Sequence, residues 1–272
     1  MSAPSYVVSV SLGKDSTEML CGMLERGENV IAAVYFDTGW EFPQMPAHLE
    51  RLERYTGLKI VTLKPRESFD YVFRDRQKLR GKFKKKGYGW PSFFRRWCTA
   101  MKRDAIKAYC NALSWQGYNL PIVQCIGFAV DEPQRIAEYL GKKPVAYQEF
   151  RFPLAEWGIT EAQALESCKA RGFSWDGLYD HFRRVSCFCC PLQGLDELRT
   201  LRLHFPDLWA RMLKMESWLP VDDLGRRFND KKTVSDLDAR FATENCCPVK
   251  SATEMIDLPG FDRGAGESHA RL

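Results

Sequence analysis

The sequence predicts a doubly wound α/β protein, a mainly parallel five-stranded sheet followed by a helical, cysteine-bearing C-terminal region. Through the first 150 residues, short β-branched runs alternate with longer amphipathic stretches, the pattern of strands joined by crossover helices. After Pro153 the pattern becomes helical. At 272 residues the chain is long for one domain and short for two large ones. The expected division is 1–152, a nucleotide-binding domain with a basic insert at 76–103, and 153–272, the helical region with its cysteines and an irregular tail.

Strands are expected at 6–10, 30–36, 58–63, 122–128 and 145–150, with helices at 16–26, 46–55, 68–78, 103–113 and 132–140. Ligands of such a sheet bind at the carboxyl ends of its strands. In the second region Thr160-Glu-Ala-Gln163 has the spacing of a capping box, and helices are expected at 195–203 and 206–218. From Pro248 onward the chain is rich in Gly, Pro and polar residues, which reads as loop or docked irregular chain. There is no internal repeat.

The longest apolar run, 30–36, is far too short to cross a bilayer, so no membrane partner is expected. No charged, apolar, small-residue leader opens the chain, and the cytoplasm is the expected compartment. Ten cysteines, with Cys187, Cys189 and Cys190 packed together, suit metal or sulfur chemistry better than a disulfide framework there. Cys21, Cys110, Cys125 and Cys168, isolated among apolar neighbours, read as buried packing residues.

The net charge of +5 conceals an asymmetry: residues 76–103 carry 11 basic and no acidic side chains. Without them the chain holds 29 basic against 35 acidic residues, so all the positive excess lies in one segment. Its cations are interleaved with Phe83, Tyr88, Trp90, Phe93, Phe94 and Trp97. Cations compensate phosphates and aromatic faces stack on unpaired bases, so a nucleic acid, tRNA or DNA, is the expected partner of this segment. A solvated lysine-rich loop, or a cradle for one small anionic nucleotide, is the alternative.

In Val8-Ser-Val-Ser-Leu-Gly-Lys-Asp-Ser-Thr17 a strand ends in a short loop and a helix follows. Backbone N–H groups at a helix start, reinforced by the helix dipole, attract an anion; Gly13 lets the backbone approach and Lys14 adds a point charge. Asp15 is placed to hold Mg²⁺ beside phosphates. Ser11, Leu12, Gly13, Lys14, Asp15, Ser16 and Thr17 are therefore candidate nucleotide ligands, the alternative being a ligand-free helix cap. The loop is not a Walker A motif. It resembles the PP-loop of the adenine-nucleotide α-hydrolase superfamily, usually Ser-Gly-Gly-Lys-Asp-Ser, whose members cleave ATP between the α and β phosphates; Leu12 stands where the first glycine is usual.

Two further phrases narrow the resemblance. Phe36-Asp-Thr-Gly-Trp-Glu-Phe-Pro43, at the end of the second strand, closely resembles a segment of the phosphoadenosine phosphosulfate (PAPS) reductase family. Asp37, with Thr38 and Gly39, would there face a ribose hydroxyl or the adenine edge, although Asp and Gly also suit a plain turn. Ile126-Gly-Phe-Ala-Val-Asp-Glu-Pro-Gln-Arg135 resembles that family's Gly-x-Arg-x-Asp-Glu-Ser-x-Arg, with Phe128 replacing the frequent arginine. The resemblance implies that Gly127 lets the nucleotide approach and that Asp131, Glu132 and Arg135 line the phosphate or substrate side. The plainer reading is a strand followed by a helix capped by Asp131.

Cys187-Phe-Cys-Cys-Pro191 offers a Cys-x-x-Cys pair, Cys187 and Cys190, with Cys189 in reserve, a spacing that lets two thiolates bind one iron or zinc centre. Cys98, in Arg95-Arg-Trp-Cys-Thr-Ala-Met-Lys102, is the expected third ligand, because that segment looks like the reductase family's first cluster segment with one cysteine in place of two. Cys246 or Cys247 is the candidate fourth; a structural zinc site or unliganded buried cysteines are the alternatives. Three thiolates on a 4Fe-4S cluster leave one iron open, as in PP-loop tRNA thiolases. The resemblance covers about the first 200 residues and implies an ATP- and Mg²⁺-dependent pyrophosphatase that adenylylates a nucleic acid for sulfur insertion. Enzymes of DNA phosphorothioation and tRNA thiolation are the relatives it brings to mind, with a sulfur donor such as a cysteine desulfurase and an oligomeric state left open. The competing expectations are a sulfonucleotide reductase, whose Glu-Cys-Gly-x-His setting has no counterpart here, and a metal-stabilised nucleic-acid-binding protein without turnover.

Overall fold

The computed structural model describes residues 4–77, 86–92, 95–116, 122–141, 148–185, 187–229 and 232–244. The expected ligands Cys246 and Cys247, the tail, and Lys78, Arg80, Lys82, Lys84 and Lys85 of the basic segment, with Phe83, Phe93 and Phe94, lie outside them.

Five strands, β1 (Ser5–Val10), β2 (Val30–Phe36), β3 (Ile60–Leu63), β4 (Ile122–Ile126) and β5 (Gln148–Arg151), form one sheet in the order β3-β2-β1-β4-β5. Every pairing is parallel. The first-half helices are α1 (Lys14–Glu25), α2 (Met45–Thr56), α3 (Phe69–Arg74), α4 (Trp97–Trp115) and α5 (Pro133–Leu140). The second half supplies α6 (Pro153–Glu156), α7 (Glu161–Ala170), α8 (Leu178–His181), α9 (Leu195–His204), α10 (Pro206–Ser217) and α11 (Val234–Thr243). Among the described residues no helix is long and apolar enough to cross a membrane.

The sheet is covered on both faces, as a doubly wound fold requires. On one face Val8, Val10, Ala33, Tyr35, Ile60 and Cys125 join Met19, Leu20 and Met23 of α1 in the larger core. On the other, Val7, Ala32, Val34 and Ile122 pack with Cys110 and Leu113 of α4. Strand residues apolar on both faces are the sequence signature of a parallel sheet. The larger core also takes in Phe173, Trp175, Leu201, Met212 and Phe241, so it runs on beyond residue 152. Cys21, Cys110, Cys125 and Cys168 are all at most 2% exposed, the packing residues their neighbours suggest. Burial lifts the Cys21 and Cys125 thiols to about 12.

Several boundaries depart from expectation for local physical reasons. Helix α4 begins six residues before 103, because Trp97, Met101 and Ala105 pack against the core and carry the apolar stripe back through the cations. This places Cys98 and Lys102 one turn apart on its first two turns. Helix α5 takes Glu132 as N-cap, with Pro133 in the first turn where proline is favoured, so Asp131 does not cap it. The Thr160–Gln163 capping box forms as read. Helix α11 was not anticipated: its box is Thr233 with Asp236, shorter than the Glu or Gln usual at that position. Helices α6 and α8 are single turns without a periodic signal of their own.

In the basic segment Trp90 is a core residue, and Trp97, partly buried, packs against the core. Trp90 is fully buried, and Trp40 meets Phe69, Phe73, Trp90 and Trp97 with ring centroids 5.3 to 6.1 Å apart. The Trp97 indole N–H donates to the Gly89 carbonyl at 3.2 Å. Their alternation with cations has a packing cause.

Candidate nucleotide site and adjoining cysteines

The strand order reverses direction between β1 and β4, and the crevice outside the carboxyl ends of these neighbours is where an open α/β sheet binds ligands. The Ser11–Ser16 loop leaves β1 on one side of it and the Gly127–Arg135 phrase leaves β4 on the other. The two touch at Gly127: a Cβ there would stand 3.1 Å from the carbonyl of Asp15 and from the Ser16 nitrogen. Close packing on the start of α1 is thus one reason for this glycine.

The loop is tied from within and from without. The Ser11 N–H donates to Ser16 Oγ at 3.0 Å, and the Ser16 hydroxyl donates to the Gly13 carbonyl at 3.1 Å. Leu12 has φ +63°, so the position where the glycine is usual does adopt the left-handed conformation, at a cost for a leucine of about 1–2 kcal/mol. Two things hold it there: its side chain is 1% exposed in the core, and its carbonyl accepts the Trp175 indole N–H at 2.7 Å. Trp175 and Asp176 also have positive φ, +48° and +50°. These are the only non-glycine residues with positive φ among the described residues besides Leu12, and strained backbone of this kind clusters at functional sites. Arg51 anchors Asp176 at 2.8 Å, and His48 stacks on Trp175 at 4.5 Å while its Nε2 lies 3.0 Å from Thr17 Oγ1. Burial, with Arg51 nearby, takes the His48 imidazole down to about 4, so it is neutral at pH 7.

Lys14 does not project freely. Its backbone N–H donates to the Tyr179 hydroxyl at 2.7 Å, and its ammonium donates to Asp15 and to Glu161, each at 3.1 Å. Among the described residues the N–H groups of Leu12, Gly13, Asp15 and Ser16 have no partner, and these remain for an anion. Asp131 accepts from the Glu161 N–H at 3.1 Å, so it caps α7 instead of α5. Glu132 pairs with Arg135, whose guanidinium lies 4.1 Å over the Phe128 ring, and Arg184 approaches Glu132 at 4.0 Å. Glu161, Trp175, Tyr179 and Arg184 were missed by the sequence reading; the capping box located Glu161 without indicating that it faces Lys14.

Asp15 is pushed up from 3.8 to about 6, chiefly by burial and then by Glu161 and Glu132, with Lys14 opposing. The folded protein therefore holds this proton more tightly than the unfolded chain, and the resulting stability, full below about pH 4, is lost as pH rises through about 6. Asp15→Asn cannot ionise. It should match the wild type near pH 4 and exceed it near pH 8, by at most about 3 kcal/mol. Urea unfolding at the two pH values checks this, and an equal difference at both contradicts it.

Asp37 ends β2 in a turn: its Oδ1 accepts from the Gly39 N–H at 2.9 Å, Gly39 has φ +75°, and Lys64 lies at 3.8 Å. Thr38 is buried and donates its hydroxyl to Glu41 at 2.6 Å. Glu41 and Cys187 form an isolated antiparallel bridge, Thr38 Oγ1 lies 3.5 Å from Cys187 Sγ, and the Phe188 N–H donates to the Trp40 carbonyl at 2.9 Å. Upstream the same segment passes the phosphate loop, with the Val185 carbonyl 3.4 Å from where a Gly13 Cβ would stand. Cys187 is thereby seated beside the turn that follows β2, two residues on from a contact with the loop that follows β1.

The charge of the Lys102 ammonium is felt by cysteines of the 187–190 segment. Burial alone would lower this ammonium, but the charges of Cys187, Glu41, Cys98 and Cys190 outweigh this and hold it above its ordinary value. Burial lifts the Cys187 thiol to about 12, with Lys102 opposing. Cys189 is 1% exposed and belongs to the core, which leaves it the poorest ligand of the four named cysteines. All eight cysteines among the described residues are free, and no three His, Cys, Asp or Glu side chains among them come together as ligands for a single ion.

A parallel sheet in this order, with a Lys-Asp-Ser loop opening the first helix at the switch point, defines a PP-loop protein of the adenine-nucleotide α-hydrolase-like superfamily. The chain belongs to the phosphoadenosine phosphosulfate reductase domain family, which matches residues 5–193. It is also 26% identical over 214 residues to an uncharacterized protein of Methanocaldococcus jannaschii; the match spans 75% of this chain and 40% of that relative.

Proposed function

We propose that this chain is a PP-loop ATP pyrophosphatase that adenylylates an oxygen of a nucleic acid and then directs sulfur to the activated atom. The observation that carries the reading is the seating of the cysteine segment. Val185 lies against the phosphate loop and Cys187 against the Thr38–Glu41 turn, so sulfur chemistry would take place beside the bound nucleotide. Attack of the substrate oxygen on the α phosphorus expels pyrophosphate; the terminal sulfur of a persulfide, from a donor such as a cysteine desulfurase, then displaces AMP, and a thiol reductant cleaves the resulting disulfide to leave the thiolated product.

Lys14 and the unpartnered loop amides would stabilise the charge that develops on the leaving pyrophosphate. Asp15, with the phosphates, would hold Mg²⁺, which neutralises that charge when bound. Arg135, braced by Glu132 and Phe128, would meet the phosphate or substrate side, and Asp37 the ribose. Cys98, Cys187 and Cys190 would hold a 4Fe-4S cluster, which when bound supplies an iron with an open position for sulfur. The donor set fits by type: Cys98, Cys187 and Cys190 bring thiols from two segments, all within electrostatic reach of the Lys102 ammonium. Lys86, Arg95, Arg96 and Arg103, all exposed, are the described cations that would meet the nucleic acid.

Protein purified without oxygen should contain iron and acid-labile sulfide, both lost in Cys187→Ser. Zinc alone would overturn the sulfur-insertion reading. A second reading, sulfonucleotide reduction in the same pocket, is favoured by the family match itself. Thioredoxin-dependent release of sulfite from PAPS would establish it.

A further inference from the structure

Both polar ends of Lys14 are occupied by groups from the C-terminal half of the chain, Tyr179 on its backbone N–H and Glu161 on its ammonium. The residue is 4% exposed, so little water competes for these positions. Asp15 is the ammonium's other partner, but as the next residue along the chain it stays beside Lys14 whatever binds. Glu161 is different: it reaches across from the first position of α7, 147 residues away in sequence.

We propose that Glu161 is a built-in competitor for phosphate, which holds Lys14 in the nucleotide-free protein and must yield it when a nucleotide binds, and so sets the affinity of the site. This rests on the reading of the Ser11–Ser16 loop as a phosphate site. An ammonium has three N–H donors, and three carboxylate oxygens, two of Asp15 and one of Glu161, lie within 3.2 Å of it. A triphosphate that engages Lys14 therefore displaces a carboxylate, and Glu161 is the one on a separate element.

Charge points the same way. Asp15 and Glu161 hold the Lys14 ammonium, and Glu132, close enough to raise Asp15, is paired with Arg135 and approached by Arg184. Burial raises the Glu161 carboxyl, but Lys14, by charge and hydrogen bond, and then Arg184 outweigh this and hold it below its ordinary value, so it is ionised at pH 7. The charges of this cluster balance, but the Glu161 carboxylate, beside Lys14, itself repels an incoming polyphosphate, and like-charge contacts oppose association. Neutralising Glu161 removes both the competitor and part of the repulsion. The bond from its backbone N–H to Asp131 survives a side-chain change, which leaves the start of α7 in place.

The test is equilibrium binding of α,β-methylene ATP, which cannot be cleaved at the α–β linkage, to the full chain by calorimetry with and without Mg²⁺. Glu161→Gln should bind it at least about fivefold more tightly than the wild type without Mg²⁺, about 1 kcal/mol, and Lys14→Ala should lose binding. Glu161→Asp keeps the charge but shortens the reach, and should lie between wild type and Glu161→Gln; it decides the matter if the glutamine variant does not fold. Unchanged or weaker binding by the Glu161 variants, when the wild type binds and Lys14→Ala does not, overturns the competitor role alone. Failure of the wild type to bind the analogue overturns the phosphate-site reading and this proposal with it.

Discussion

Lys14→Ala is expected to lower nucleotide turnover at least about a hundredfold, the scale set by removing one preorganised charge from a site of developing anion. Lys14 is the buried cation at the start of α1, with four unpartnered loop amides around it among the described residues. Arg135 is committed to Glu132 and Phe128 across the crevice, and Arg184, the remaining described cation beside Glu132, is largely exposed. The fold should persist. The carboxylates left behind, Asp15 and Glu161, keep 21% and 27% side-chain exposure and can be solvated or protonated, so the stability loss should be about 1–3 kcal/mol, between the surface and buried limits for a broken pair. Turnover within a few-fold of wild type, in protein with an unchanged circular dichroism spectrum, would remove Lys14 from the site.

The second large effect is expected at Trp175. Its side chain is fully buried, and truncation to alanine should cost about 3–5 kcal/mol from the lost burial and the cavity left behind. That is a large share of a typical domain's total stability. The more telling variant is Trp175→Phe, which fills much of the space but cannot donate to the Leu12 carbonyl. Leaving that carbonyl unpaired should cost about 1–3 kcal/mol and let Leu12 relax from positive φ. Nucleotide affinity should therefore fall in Trp175→Phe, by more than the stability loss alone would bring about. Denaturant unfolding and nucleotide titration of the two variants measure these effects; unchanged affinity in Trp175→Phe would show that the indole bond does not shape the loop.

The residues near one another in sequence were the legible ones. The bounds of β2, the strand-loop-helix at Ser11–Ser16 and the Thr160 capping box all arise from contacts within a few residues, and composition and spacing record them. The contacts that complete the site do not leave such a trace. Glu161 meets Lys14 across 147 residues and Trp175 meets Leu12 across 163, and nothing local to either partner marks the other. The aromatic residues carry two readings for a related reason. Alternating cations and rings suit both a nucleic-acid surface and a segment that buries its rings while its cations stay in water, and Trp90 and Trp97 follow the second course. Asp131 was legible as a cap, but not as the cap of a helix 30 residues further on.

The central claim is tested most directly by following ATP itself. Anaerobic protein incubated with ATP, Mg²⁺ and tRNA or DNA should release AMP and pyrophosphate in equal amounts, dependent on the nucleic acid and absent with Lys14→Ala. Release of ADP and phosphate, or no cleavage with either nucleic acid by protein that carries its metal centre, would contradict it.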